Sequence, residues 1–189
     1  YNPAEYVDLR FKGSVDSPIF RYAEILLIRA EAGAELGEDP ELDKTINLLR
    51  QRAGLTFMLS PNPPAEGEDP DMIEKYPVIK GPNAWLIREI RRERRVELFG
   101  EGLRYMDILR WHAGDLLNRP KRGAKSNMYT AQELSYLTGK VPIKDGFIMP
   151  YDLRVDYKPN FTEKNYLFNI PLNEISLNPN LLPQNPGWE

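Results

Sequence analysis

Apolar residues recur at helical spacing in four stretches of this chain, and clusters of proline and glycine separate them. In the first stretch, Tyr22, Ile25, Leu26, Ala30 and Gly33 form one row, and Ala23, Leu27 and Ala34 form a second. Two rows predict a helix to about Leu36 that packs on more than one side. Ala23, Ala30, Gly33 and Ala34 are small enough to let neighbours approach closely. Ser17 as cap and Pro18 in the first turn predict its start, and Gly37 predicts its stop. Asp39 then caps a second helix opened by Pro40, carrying Leu42, Ile46, Leu49 and Ala53 and ending at Gly54. So short a connection predicts an antiparallel αα-hairpin, about as long as a tetratricopeptide repeat, although no second copy recurs at a fixed period.

Pro61, Pro63, Pro64, Pro70, Pro77 and Pro82 forbid sustained helix between residues 55 and 83. Asn83 is placed to cap a third helix over about 84–99, with Trp85, Leu86, Ile87, Ile90, Leu98 and Phe99. Gly100-Glu101-Gly102 interrupts it. A fourth helix runs from Leu103 to about Ala113 with Tyr105, Met106, Ile108, Leu109 and Trp111. Residues 114–165 are polar, aromatic and loop-rich, with short strands expected near Gly146–Pro150. The tail from Tyr166 is expected to be extended. The fold class is therefore mainly α, with tetratricopeptide-like helical hairpins, long irregular loops and little strand. The chain has 189 residues, which suits one domain over 1–189.

Composition narrows the chemistry. No stretch approaches the roughly 18 consecutive apolar residues of a membrane-spanning helix. A net charge of −3 gives no basic face for nucleic acid, because the Arg cluster at 88–95 is interleaved with Glu89, Glu93 and Glu97. With no cysteine, thiolate catalysis, disulfides and Cys-ligated metals are excluded. His112 is the single histidine, and no His-Glu-x-x-His pattern exists, so no metal or other cofactor is expected. The chain opens at Tyr1-Asn2-Pro3 without an initiator Met or a signal peptide, which reads as a fragment or processed chain.

Glu93 and Glu97 lie one helical turn apart and could form an acid–base pair for glycoside hydrolysis or share a divalent metal. The reading favoured by the surrounding arginines is ion pairing, with Arg94, Arg104 or Arg110 as partners and Asp107 in the same structural network. Trp85 and Trp111 sit in helical patterns and are assigned to the core. His112 is favoured at a helix C-terminus by the dipole alone. Glu66-Gly67-Glu68-Asp69-Pro70-Asp71 offers oxygen ligands for calcium but lacks EF-hand spacing, so a solvated loop is expected. Tyr129, Tyr136, Phe147, Tyr151 and Tyr157 lie among amides and charges in non-helical segments, where recognition residues gather, and are the candidate ligand contacts.

Three segments together resemble the C-terminal region of the SusD/RagB family. The first is Phe20–Ala32, containing Arg21-Tyr22-Ala23-Glu24, followed by Ile46-Asn47-Leu48-Leu49-Arg50-Gln51-Arg52-Ala53-Gly54. The second is Ile90-Arg91-Arg92-Glu93-Arg94-Arg95-Val96-Glu97-Leu98 with Glu101-Gly102-Leu103-Arg104-Tyr105-Met106-Asp107-Ile108-Leu109-Arg110-Trp111. The third is Ile170-Pro171-Leu172-Asn173-Glu174-Ile175, Asn178-Pro179 and Gln184-Asn185-Pro186-Gly187-Trp188. The resemblance implies a helical lipoprotein on the outer face of an outer membrane, anchored by a lipid on an N-terminal half absent here. It implies an oligosaccharide ligand and a TonB-dependent transporter partner, over which the protein acts as a lid or capture subunit. It carries over no catalytic residue, and no enzyme activity is expected. The alternative is a helical protein-interaction module without direct glycan binding, and a glycoside hydrolase using Glu93 and Glu97 is a third reading.

Overall fold

The computed structural model of the chain describes residues 19–137, 139–153 and 158–189. The proposed cap at Ser17-Pro18 and the candidate Tyr157 lie outside the described residues. The described part is mainly α, with eight α-helical segments and one two-stranded sheet. The chain divides into two compact units, one ending at Gly102 and the other running from Leu103 to Glu189.

In the first unit, α1 spans Tyr22–Leu36, α2 Ile46–Arg52, α3 Pro70–Lys75 and α4 Ala84–Glu97. Gly37 ends α1 in the left-handed conformation, φ 73°, as its position predicts. α1 packs mainly on α4 and also touches α2. The two long helices run antiparallel: Arg21, before α1, meets Glu97 at the end of α4, while Ala34 near the end of α1 accepts from Asn83 at the start of α4. Leu27 and Ala30 of α1, Ile46 of α2 and Ile90 of α4 are fully buried, each large side chain stabilising the unit by roughly 1.5–3 kcal/mol.

The two apolar rows of α1 have different fates. Ala23, Leu26, Leu27, Ala30 and Ala34 are buried, whereas Tyr22 is 71% and Ile25 48% exposed. Gly33 is needed for a close approach: a Cβ there would stand 2.9 Å from Cα of Pro40. The second helix starts later than Pro40. The Asp39 carboxylate accepts from the Glu41 N–H at 2.8 Å, Glu41 turns left-handed at φ 49°, and a single 3-10 turn over Leu42–Lys44 precedes α2. Asn83 does not cap α4 with its side chain, which instead donates to the Ala34 carbonyl at 2.9 Å.

The proline-rich segment 55–83 does hold one short helix, α3, because Pro70 occupies a first-turn position where no N–H is needed and Asp69 accepts from the Asp71 N–H. The rest is tied down by helix side chains. Buried Asn47 donates to the Leu59 carbonyl at 3.1 Å and accepts from the Leu59 N–H at 2.7 Å. Arg88 donates to the Ile79 carbonyl at 2.9 Å and Trp85 to Ser60 at 3.3 Å.

In the second unit, α5 spans Arg104–Arg110, α6 Asp115–Asn118, α7 Ala131–Ser135 and α8 Leu172–Leu177. A hairpin pairs β1, Ile143–Lys144, with β2, Phe147–Ile148. Asp145 and Gly146 both have positive φ, which is the demand of a two-residue hairpin turn. Residues 123–126 add a third antiparallel line along β2, through Gly123 N–H to Ile148 O, Ile148 N–H to Ala124 O and Ser126 N–H to Gly146 O. The tail is less extended than its prolines suggest, since α8 and a 3-10 turn at Pro179–Leu181 interrupt it. Two more carboxamides repeat the Asn47 arrangement: Asn118 holds both the N–H and the carbonyl of Phe161, and Gln184 holds both groups of Ile170.

Asn47→Ala should destabilise the protein by about 2–3 kcal/mol, because two buried main-chain groups of Leu59 lose their partner. Denaturant unfolding measures this, and limited proteolysis should show earlier cleavage within residues 55–69. An unchanged midpoint would show that the clasp contributes nothing.

Candidate functional site

The charged face of α4 is the densest polar feature of the first unit. Arg88, Arg91 and Arg94 are buried, as is Arg50 of α2. A guanidinium removed from water needs a carboxylate or carbonyl partner. Arg88 pairs with Glu68 at 2.5 Å, Arg91 with Glu35 at 3.2 Å, Arg92 with Asp69 at 2.7 Å, and Arg94 faces Glu24 at 3.9 Å. The acidic stretch leading into α3 is thus engaged at Glu68 and Asp69, and Asp71 in the first turn of α3 pairs with Lys75.

Glu93 accepts from Arg50, through Nε at 2.7 Å and through Nη2. Glu97 accepts from Arg21 and Arg52. Glu101 takes a forked pair of bonds from Arg21. The partners of the two weighed glutamates are therefore Arg21, Arg50 and Arg52, not the expected Arg94, Arg104 or Arg110. Arg110 meets Asp107 at 3.0 Å within α5, and Arg104 lies over the Trp111 ring at 5.5 Å. The missed signal was the Arg50-Gln51-Arg52 spacing, which sends two cations across to α4 from one short helix.

This setting decides the chemistry of the pair. Burial pushes the Glu97 carboxyl upward, but the bonds from Arg52 and Arg21 outweigh it and hold the group below the ordinary carboxylate range. Arg21 likewise holds Glu101 down. A general acid must carry a proton at working pH, and Glu97 is kept ionised. Glu89 differs: burial raises it, against the pull of Arg92.

The aromatic candidates lie in the second unit. Tyr129 is 41%, Tyr136 64% and Tyr151 47% exposed. Tyr129 follows a 3-10 turn at Ser126–Met128, Tyr136 ends α7, and Tyr151 sits in the turn after β2. Phe147 is half-buried on β2, with the Arg122 guanidinium 5.0 Å and the Lys125 ammonium 6.0 Å from its ring centre. The small sheet thus joins the segments carrying Phe147 and Tyr151 to the strand leading into Tyr129. Trp85 and Trp111 are buried. His112 lies one residue beyond the cap of α5 at φ 50°, stacked on Tyr166 with centroids 4.1 Å apart and 3.3 Å from Glu163. Its side chain thus has specific partners beyond the helix dipole.

The closing Gln184-Asn185-Pro186-Gly187-Trp188 has a structural task. Gln184 clasps Ile170, Asn185 donates to Phe168 O at 2.6 Å, and the Trp188 indole N–H is shared by the Lys164 and Leu167 carbonyls at 2.9 Å.

Among the described residues, no group of three His, Asp or Glu side chains is placed to hold a metal, and no helix is long and apolar enough to cross a membrane. The SusD family model matches residues 10–188, and the chain belongs to that family. It is 30% identical over 112 residues to SusD-like protein P38 of Formosa agariphila, covering 57% of this chain and 20% of that protein. The fold matches the crystal structure of a SusD-like carbohydrate-binding protein from Bacteroides fragilis with a TM-score of 0.58 and 32% identity, over 88% of this chain and 28% of that one. The chain therefore spans between a fifth and a third of the length of these relatives.

Two predictions follow from the ion pairs. Arg50→Ala should cost about 3 kcal/mol in denaturant unfolding, since it strands Glu93 beside a core. Because Glu97 and Glu101 are held low when folded, their pairing stabilises fully above the unfolded glutamate value of about 4.3 and fades as pH falls below it. The penalty of Arg21→Met should accordingly be large at neutral pH and shrink in acid. An equal penalty at both would show that charge plays no part.

Proposed function

We propose that the chain is part of a carbohydrate-binding component of an outer-membrane nutrient-uptake complex. In this reading it belongs to a lipid-anchored protein on the outer face, which captures oligosaccharide as a lid over a TonB-dependent transporter and catalyses no reaction. The observation that carries the reading is the match to a solved carbohydrate-binding relative over 88% of the chain. The geometry supports it in two ways. Glu93 and Glu97 are occupied by arginines, and exposed Tyr129, Tyr136 and Tyr151 offer flat apolar faces of the kind that stack on sugar rings.

A second reading, docking on protein without glycan, is favoured by the outer face of α1. Tyr22, Ile25, Ile28 and Leu36 form an exposed apolar row there.

A glycan array followed by calorimetry on the intact protein tests the first reading. Binding to at least one oligosaccharide is expected, with Tyr136→Ala or Tyr151→Ala weakening it about tenfold without loss of stability. No binding across the array, together with co-purification of a membrane β-barrel, would establish the second reading instead.

A further inference from the structure

We propose that the corner formed by residues 122–126 and the β1–β2 hairpin recognises the acidic group of an oligosaccharide, so that the captured glycan is an anionic one. This rests on the carbohydrate-binding reading and specifies its ligand.

The chain as a whole is acidic, but its two units are not alike. Residues 1–102 hold fourteen Lys and Arg against nineteen Asp and Glu, while residues 103–189 hold eleven against nine. The excess is concentrated. Between Asp115 and Glu133 lie Arg119, Lys121, Arg122 and Lys125 and no acid.

The sheet then sorts these cations. Residues directly opposite on antiparallel strands point to the same face. Lys144 faces Phe147 across the hairpin, and Lys125 faces Phe147 on its other side. Lys125, Phe147 and Lys144 thus form a row on one face, with Arg122 placed over the ring. Lys144 is neutralised by Asp152 at 2.6 Å, and Asp145 acts on it as well. The Lys121 ammonium is turned to the Leu117 carbonyl. Arg122 and Lys125 are exposed, and among the described residues their charges meet the Phe147 ring rather than a carboxylate.

An aromatic face attracts a cation without cancelling its charge. Phe147 therefore holds Arg122 and Lys125 together against their mutual repulsion and limits the side-chain freedom lost on binding. Two ordered cations match a carboxylate or sulfate, whose oxygens can take a forked guanidinium and an ammonium at once. Gly123 keeps the arrangement close: a Cβ there would lie 2.8 Å from the Ile148 carbonyl oxygen and push the third strand away.

Calorimetry on the intact protein would use three oligosaccharides of equal length: oligogalacturonate, its carboxyl-reduced neutral counterpart, and a sulfated form of that counterpart. At least one charged probe should bind about tenfold more tightly than the neutral one near physiological salt, and the carboxylate and sulfate arms identify which group is read. Arg122→Gln with Lys125→Gln should reduce that preference to about twofold or less while leaving neutral-glycan affinity intact. Phe147→Leu, which keeps both charges, should reduce it in part. Equal affinity for all three probes, or a preference that survives the double substitution, overturns this inference and leaves carbohydrate binding standing. Absence of binding to these probes and to the whole array overturns both.

Discussion

Every main-chain N–H and carbonyl taken out of water must find a partner, and this chain has too little regular structure to supply them all. The solution recurs three times. A carboxamide on a helix or tail, Asn47, Asn118 or Gln184, takes both polar groups of one residue in an irregular segment, Leu59, Phe161 or Ile170. Each amide does the work of one rung of a β-ladder without a second strand. Long excursions are thereby fixed at points where no strand partner is at hand.

Guanidinium groups perform the companion task between helices. α4 buries arginines on a face that could have been apolar, and their carboxylate partners come from α1 and from the loop before α3, while α2 sends Arg50 and Arg52 to the glutamates of α4. Such pairs add little net stability over a hydrophobic contact of similar size. Their geometry is directional, however, so they define which helix lies against which. The same contacts explain why two glutamates one turn apart are not a hydrolytic pair: their lone pairs are already taken.

Much of the helical framework was legible in the residues. Gly37 marks the end of α1, and Leu86, Ile87 and Ile90 mark the buried side of α4, because helix stops and apolar periodicity are local properties. The structure departs from the sequence pattern where a side chain has two possible uses. Asn83 could cap its own helix or reach Ala34, and Asp39 could start a helix or close a turn on Glu41. Neither choice depends on neighbours in sequence alone. The exposure of Tyr22 and Ile25 was hidden for a similar reason, since two apolar rows look alike until a partner covers one. In the second unit, the candidate aromatic loops stand out by composition. The row of Lys125, Phe147 and Lys144 does not, because it exists only through a register between segments some twenty residues apart.

The clasps have one property that reaches beyond stability. An amide that grips only main-chain atoms is blind to the side chain of the residue it grips. The segments around Phe161 and Ile170 can therefore change their surface chemistry through ordinary substitutions while their course through space is retained. A scaffold anchored in this way tolerates wide diversification of what it displays, much as a printing frame accepts new type.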